Sequence, residues 1–128
     1  MFLQYYVTES TTGNRVNIEI DAATKADLDA TRNGWQTVWN TDFILDPQKE
    51  KYAAKTEDGE IIALGAYRVR KGSVAVYIAY IESQPESNPT LVEHKKYSGI
   101  GKAMIAFGIQ LSIDASCNGV VVFEAKTD

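Results

Sequence analysis

Lys96-Tyr97-Ser98-Gly99-Ile100-Gly101-Lys102-Ala103 places two glycines and two lysines just ahead of a long apolar run. Glycines let a backbone turn closely against a ligand, and a helix starting here offers an anion unpaired N–H groups and the positive end of its dipole. Phosphate binding is the chemistry this implies. A P-loop requires G-x-x-x-x-G-K-[ST], but Lys96 stands at the first glycine and Ala103 at the hydroxyl that would hold magnesium. A dinucleotide fingerprint requires G-x-G-x-x-G directly after a strand, and here Met104 takes the last glycine while a polar loop with two prolines precedes the motif. The plain alternative is a glycine-bearing loop that only leads into a helix.

Other reactive side chains are few. His94 is the single histidine, and its ordinary pKa suits proton transfer, but the run Glu93-His94-Lys95-Lys96 reads as solvated. With no second histidine or paired cysteine, no metal site is expected. Cys117 is the only cysteine, which excludes an internal disulfide and fits a reducing, cytoplasmic setting. With Asn118-Gly119 just beyond, it reads as a core or capping-region thiol.

The chain has 128 residues, 45% hydrophobic and 23% charged, enough for one domain with its own core. A formal charge of -4 argues against nucleic acid or an anionic membrane, while Lys95, Lys96 and Lys102 form a local cluster of opposite sign. No apolar run reaches transmembrane length, and Met1-Phe2-Leu3-Gln4-Tyr5-Tyr6 has neither a basic start nor a cleavage site, so export is not expected.

Periodicity predicts the elements that must position the loop. Arg15 to Ile20 alternates as a strand after an aromatic segment and a Thr11-Thr12-Gly13-Asn14 turn. Thr24-Lys25-Ala26-Asp27 reads as a capping box opening a helix, and Trp35, Val38 and Trp39 fall at i, i+3 and i+4, as in a second short helix with an aromatic face on a sheet. Both tryptophans read as core anchors, with one available to line a cleft. Asp46-Pro47 ends that region. Two strands flank the turn Glu57-Asp58-Gly59-Glu60, the second running from Ile61 to Val69. Val74 to Ile81 reads as a central strand covered on both faces, and Ser83 to Thr90, with Pro85 and Pro89, as a connector or binding loop. A helix from about Ile100 to Ser116 carries Ile100, Met104, Phe107 and Leu111 on one stripe and Ile105, Ile109 and Ile113 on the next, and reads as mostly buried, with Gly108 permitting close approach. Val120 to Ala125 reads as another internal strand. The expectation is α/β: five strands and three helices, a mixed, mainly antiparallel sheet flanked by helices, with a parallel crossover through the glycine-loop helix.

In this order the chain resembles the GCN5-related N-acetyltransferase (GNAT) superfamily. Lys96-Tyr97-Ser98-Gly99-Ile100-Gly101 is similar to its [QR]-x-x-G-x-[GA] fingerprint, matching both small positions and keeping a cation at the first. Ile81-Glu82-Ser83-Gln84-Pro85-Glu86-Ser87-Asn88 also resembles a stretch ahead of the glycine loop in bacterial members. The resemblance covers Lys51 to Phe123 and implies acetyl-CoA as acyl donor. Its pyrophosphate would lie on Lys96, Tyr97, Ser98, Gly99, Ile100, Gly101, Lys102 and Ala103, and its pantetheine arm would pair with Ala79, Tyr80 and Ile81. A complete member continues with a further helix, which often supplies an Asn to the cofactor and a Tyr near the acyl sulfur, and usually a final hairpin. The sequence after Val120 to Ala125 has neither, so 1–128 reads as a GNAT-like domain with a short C-terminus. Its last strand then presents an apolar edge suited to a homodimer.

The activity implied is attack of a neutral primary amine, from a small molecule or a peptide, on the thioester carbonyl. Glu82 is the first candidate base, against a structural role ordering the Ser83 to Asn88 loop; Glu86 is a weaker candidate. Tyr77, Tyr80 and Tyr97 are considered for the leaving thiolate, but none is assigned as general acid, and the backbone N–H near Ile81 or Glu82 is preferred for carbonyl polarisation. The acidic balance accommodates a polyamine, an aminoglycoside or a basic peptide without selecting one. The alternative is a non-catalytic coenzyme A-binding or oligomerising module.

Overall fold

Alternating residues at Tyr5–Glu9 (β1) and Arg15–Ala22 (β2) make an antiparallel hairpin whose turn places Gly13 at φ +73°. The structure, a computed structural model, describes residues 4–32, 34–37, 39 and 49–124. Thr24 caps the short helix Lys25–Asp29 (α1). Its hydroxyl accepts the Asp27 N–H while the Asp27 carboxylate accepts the Thr24 N–H, which is the capping box the sequence predicts. A 3-10 turn over Ala30–Arg32 follows. Then come Glu50–Thr56 (β3), Ile61–Arg68 (β4), Val76–Ser83 (β5), a 3-10 turn at Pro85–Ser87, Tyr97–Ser98 (β6), the helix Ile100–Asp114 (α2) and Val121–Phe123 (β7).

Seven strands form one sheet in the order β6-β1-β2-β3-β4-β5-β7. Neighbours are antiparallel except β5 and β7, which run parallel with α2 between them in sequence. The sheet is therefore mixed and mostly antiparallel, with two helices among the described residues, and the expected five strands are corrected to seven. The N-terminal aromatic segment is itself a strand. A second extra strand comes from inside the glycine loop, where Tyr97 and Ser98 pair with Glu9 and Thr8.

The helix expected around Trp35 is absent from 34–37, which are turn and bend; Val38 lies outside the described residues, as do Asp46-Pro47 and Ala125. The Trp39 N–H, which a helix from Trp35 would direct to the Trp35 carbonyl, goes instead to the Thr31 hydroxyl, and the N–H groups of Gln36 and Thr37 go to the Glu82 carboxylate.

Apolar side chains fill both faces of the sheet. On the α2 side Val7, Ile18 and Ile62 meet Ile100 and Met104, and Tyr67, Val76 and Ile78 pack with the buried Cys117. On the other side Leu28, Trp39, Leu64 and Ala66 cluster with the half-buried Trp35, so both tryptophans do anchor core. Gly108 lets α2 approach the sheet: an added Cβ would stand 3.2 Å from the Tyr67 ring, whose hydroxyl donates to the Met104 carbonyl. Two expectations about burial are corrected. Ile109 and Ile113 on α2 are exposed, and β7 is an edge strand whose Val122 and Phe123 are exposed too, because no described element covers that corner.

Candidate functional site

The site begins with a bulge in β5. Ala66 pairs with Tyr80 but Tyr67 pairs with Ile78, so Ala79 is an extra residue. On the near side of the bulge the Ile78 carbonyl accepts the Glu124 N–H and therefore faces β7. Beyond it the Gln84 N–H donates to Ile62, so by alternation Glu82 and Tyr80 turn their backbone groups toward β4. The backbone N–H and C=O of Ile81 and Ser83 face the side beyond β7 and have no strand partner among the described residues, since Val121–Phe123 pairs with Val76, Tyr77 and Ile78. The bulge thus opens a wedge between two strands that are parallel neighbours below it.

The start of α2 closes the wedge. Gly99 is its N-cap at φ +88°, a left-handed conformation that L side chains rarely adopt, and it makes no side-chain cap. The first intrahelical bond runs from the Ala103 N–H to Gly99, leaving the amides of Ile100, Gly101 and Lys102 without a helical partner. At Gly101 an added Cβ would meet nothing within 4 Å, so the backbone here stands open to a guest. A cavity of about 300 Å³ joins these parts, lined by Ile81 and Ser83 from β5, Ser87 and Pro89 from the connector, Lys95, and Tyr97, Gly99, Ile100 and Gly101.

The connector is fixed by polar contacts that periodicity does not reveal. Glu60 accepts the Lys96 ammonium at 2.8 Å, the Gln84 amide at 3.0 Å and the Tyr97 hydroxyl at 3.1 Å. Buried Ser87 accepts the Tyr97 N–H and donates to Gln84, and the Lys96 N–H reaches the Glu86 carbonyl. Partial burial pushes the Glu60 carboxyl up, but the Lys96, Gln84 and Tyr97 donors outweigh it and hold it below the ordinary glutamate range. The bond to Glu60 raises the Lys96 ammonium, and burial followed by the Glu60 charge raises the Tyr97 phenol.

Of the residues expected to hold a cofactor, Ile81, Tyr97, Gly99, Ile100 and Gly101 converge on this cavity. Ser98, Lys102 and Ala103 line a different cavity, which shares only Gly99 with the first. The Lys96 side chain is held by Glu60, and Lys95 is the cation lining the wedge. Ala79 and Tyr80 pack in the cluster on the α1 side of the sheet. Glu82 is 4% exposed on that side too. Its carboxylate accepts the Gln36 N–H at 2.7 Å, the Thr37 N–H at 3.3 Å and the Trp39 indole N–H at 2.9 Å. Tyr80 meets the same segment through its hydroxyl, 2.9 Å from that of Thr37. His94 and Glu86 are exposed.

Sequence reasoning missed Glu60, Gln84 and Ser87 as parts of the site. Glu60 sits 36 positions from Lys96, so only the hairpin and the returning connector bring them together. Gln84 and Ser87 carried a signal only as polar residues of the proline-bearing connector.

No protein-family model matches the chain, and no curated protein matches it. Among the described residues no group of three or more His, Cys, Asp or Glu could hold a metal ion, and no helix is long and apolar enough to cross a membrane.

Proposed function

We propose that the chain binds acetyl-CoA and moves its acetyl group to a primary amine, as a member of the GNAT superfamily would. The observation that carries this reading is the wedge: one cavity brings the unpaired β5 edge at Ile81 and Ser83 to a glycine helix start with free amides. An extended amide-bearing arm can add to such an edge, and its phosphates can rest on the Ile100, Gly101 and Lys102 amides with Lys95 beside them. Open space at Gly101 and the obligatory glycine at 99 fit that guest.

Acetyl-CoA, when bound, supplies the thioester electrophile. The chain's part is to hold the thioester and to polarise its carbonyl, for which the Ile81 N–H on the open edge is the suitable donor. Glu82 then acts through position. With three N–H donors on its carboxylate, it clamps Gln36, Thr37 and Trp39 beside β5, and the amine must arrive neutral or lose its proton to solvent. That occupied carboxylate also favours a second reading, a coenzyme A-binding module without turnover.

An amine screen separates the two. Release of free thiol from acetyl-CoA is followed with a polyamine, an aminoglycoside and a lysine peptide as acceptors. The transferase reading expects release accelerated by at least one amine and abolished by Gly101→Glu. Binding of acetyl-CoA with no amine-dependent release from any acceptor leaves the module.

A further inference from the structure

A second cavity, of about 520 Å³, lies between β1 and the first turns of α2. Its floor is an unfinished strand edge. Glu9 exchanges bonds within the β1–β2 hairpin through Asn14 and Gly13, so by alternation Val7 and Tyr5 face β2, while Thr8 and Tyr6 face away. On that outer side β6 pairs with Thr8 and Glu9, and the Ser10 N–H reaches the Lys96 carbonyl. Gly99, at φ +88°, then lifts the chain off the edge into α2. Among the described residues the N–H and C=O of Tyr6 have no partner on this side, one register step beyond the end of β6.

The opposite wall is made of Gly99, Ala103 and Ala106, with no side chain longer than a methyl group, so there is width for another backbone. Lys102 lines the slot and forms no ion pair with a described residue. No carboxylate lines the cavity, in a chain whose net charge is -4.

We propose that this slot receives an extended, acidic segment of a partner protein, which adds to β1 as a strand in line with β6. Backbone bonds to Tyr6 and Gln4 supply the pairing, and a carboxylate near Lys102 selects the guest. The edge left free by β6, Gln4 to Val7, spans about 10 Å at strand rise, room for about four guest residues. The slot lies on the other side of Gly99 from the acyl-CoA cavity, shares Gly99 with it, and uses the Lys102 side chain where that reading uses the Lys102 amide.

The test is a titration of the full, isotope-labelled chain with the peptide acetyl-TVEVT-amide, followed by two-dimensional amide NMR. The expected result is saturable shifts confined to residues 4–8 and 98–106, with slowed exchange of the Tyr6 N–H. Lys102→Glu, an exposed position whose spectrum reports that the fold is kept, weakens binding at least tenfold. N-methylation of the peptide backbone does the same. Absence of saturable shifts, shifts elsewhere, or binding indifferent to both changes overturns the proposal. So does a Tyr6 N–H already protected in a concentration-dependent way without peptide, which would make a second copy of the chain the occupant.

Discussion

Glu82 and the lysine pair separate what a residue type suggests from what its surroundings make of it. A glutamate at the end of a core strand is a reasonable base on sequence alone, yet the structure surrounds it with three N–H donors. Glu82→Gln replaces an acceptor by an amide that must aim hydrogens at those donors, and the expected loss is about 1–3 kcal/mol of stability in chemical denaturation. Unchanged stability with turnover alone lost would return Glu82 to the role of base. Lys96 and Lys95 divide the other task. Lys96→Ala is expected to lower the melting temperature by freeing the Glu60 brace, whereas Lys95→Ala is expected to weaken acetyl-CoA binding with the melting temperature kept; a calorimeter reads both. The brace has a pH window with two edges. Glu60 is held below its ordinary value, so its contribution is present above the ordinary glutamate range and is lost as pH falls through the depressed value. Lys96 is raised, so its contribution is present below the ordinary lysine range and is lost as pH rises through the raised value. A carbon NMR titration of the Glu60 carboxyl should show the low midpoint moving up in Lys96→Met.

At the scale of elements, local rules set α1 and α2 and non-local pairing set the rest. The capping box at Thr24 and the apolar stripe of Ile100 and Met104 were legible because their signals lie within one or two turns. β6 was not legible, since two residues hold no period and their strand character comes from Thr8 and Glu9, some 90 positions earlier. Trp35 and Trp39 show the opposite error. Their spacing is helical, but the Trp39 N–H goes to the Thr31 hydroxyl and residues 34–37 are not helical, so the tertiary contact prevailed over the local pattern. The contact of α2 with the sheet rests on small residues at the crossing. At Gly65 an added Cβ would stand 2.7 Å from the Tyr67 ring and 2.9 Å from Met104, so Gly65→Ala is expected to cost about 1–3 kcal/mol in thermal or chemical unfolding.

Over the whole molecule, the apolar runs announced a mixed sheet, but the wedge beside the glycine motif depends on one bulge residue. Nothing in Ala79 as a residue type marks it as a bulge; it is defined only against β4. Likewise the exposed corner formed by Ile109, Ile113, Val122 and Phe123 follows from sheet order, and it is where a homodimer is proposed to form. Phe123→Glu is expected to shift sedimentation toward the monomer with the fold intact. The central claim is that the Gly99 to Lys102 helix start, beside the open edge of β5, holds coenzyme A. Calorimetric titration of acetyl-CoA into the full chain and into Gly101→Glu tests it directly. The substitution sits at a helical position where the added side chain meets only open space, and an acid in the first turn favours the helix, so the fold should be kept. The account predicts saturable binding by the parent, weakened at least tenfold in a variant that melts no earlier. No saturable binding by the parent, or equal binding by both, contradicts it.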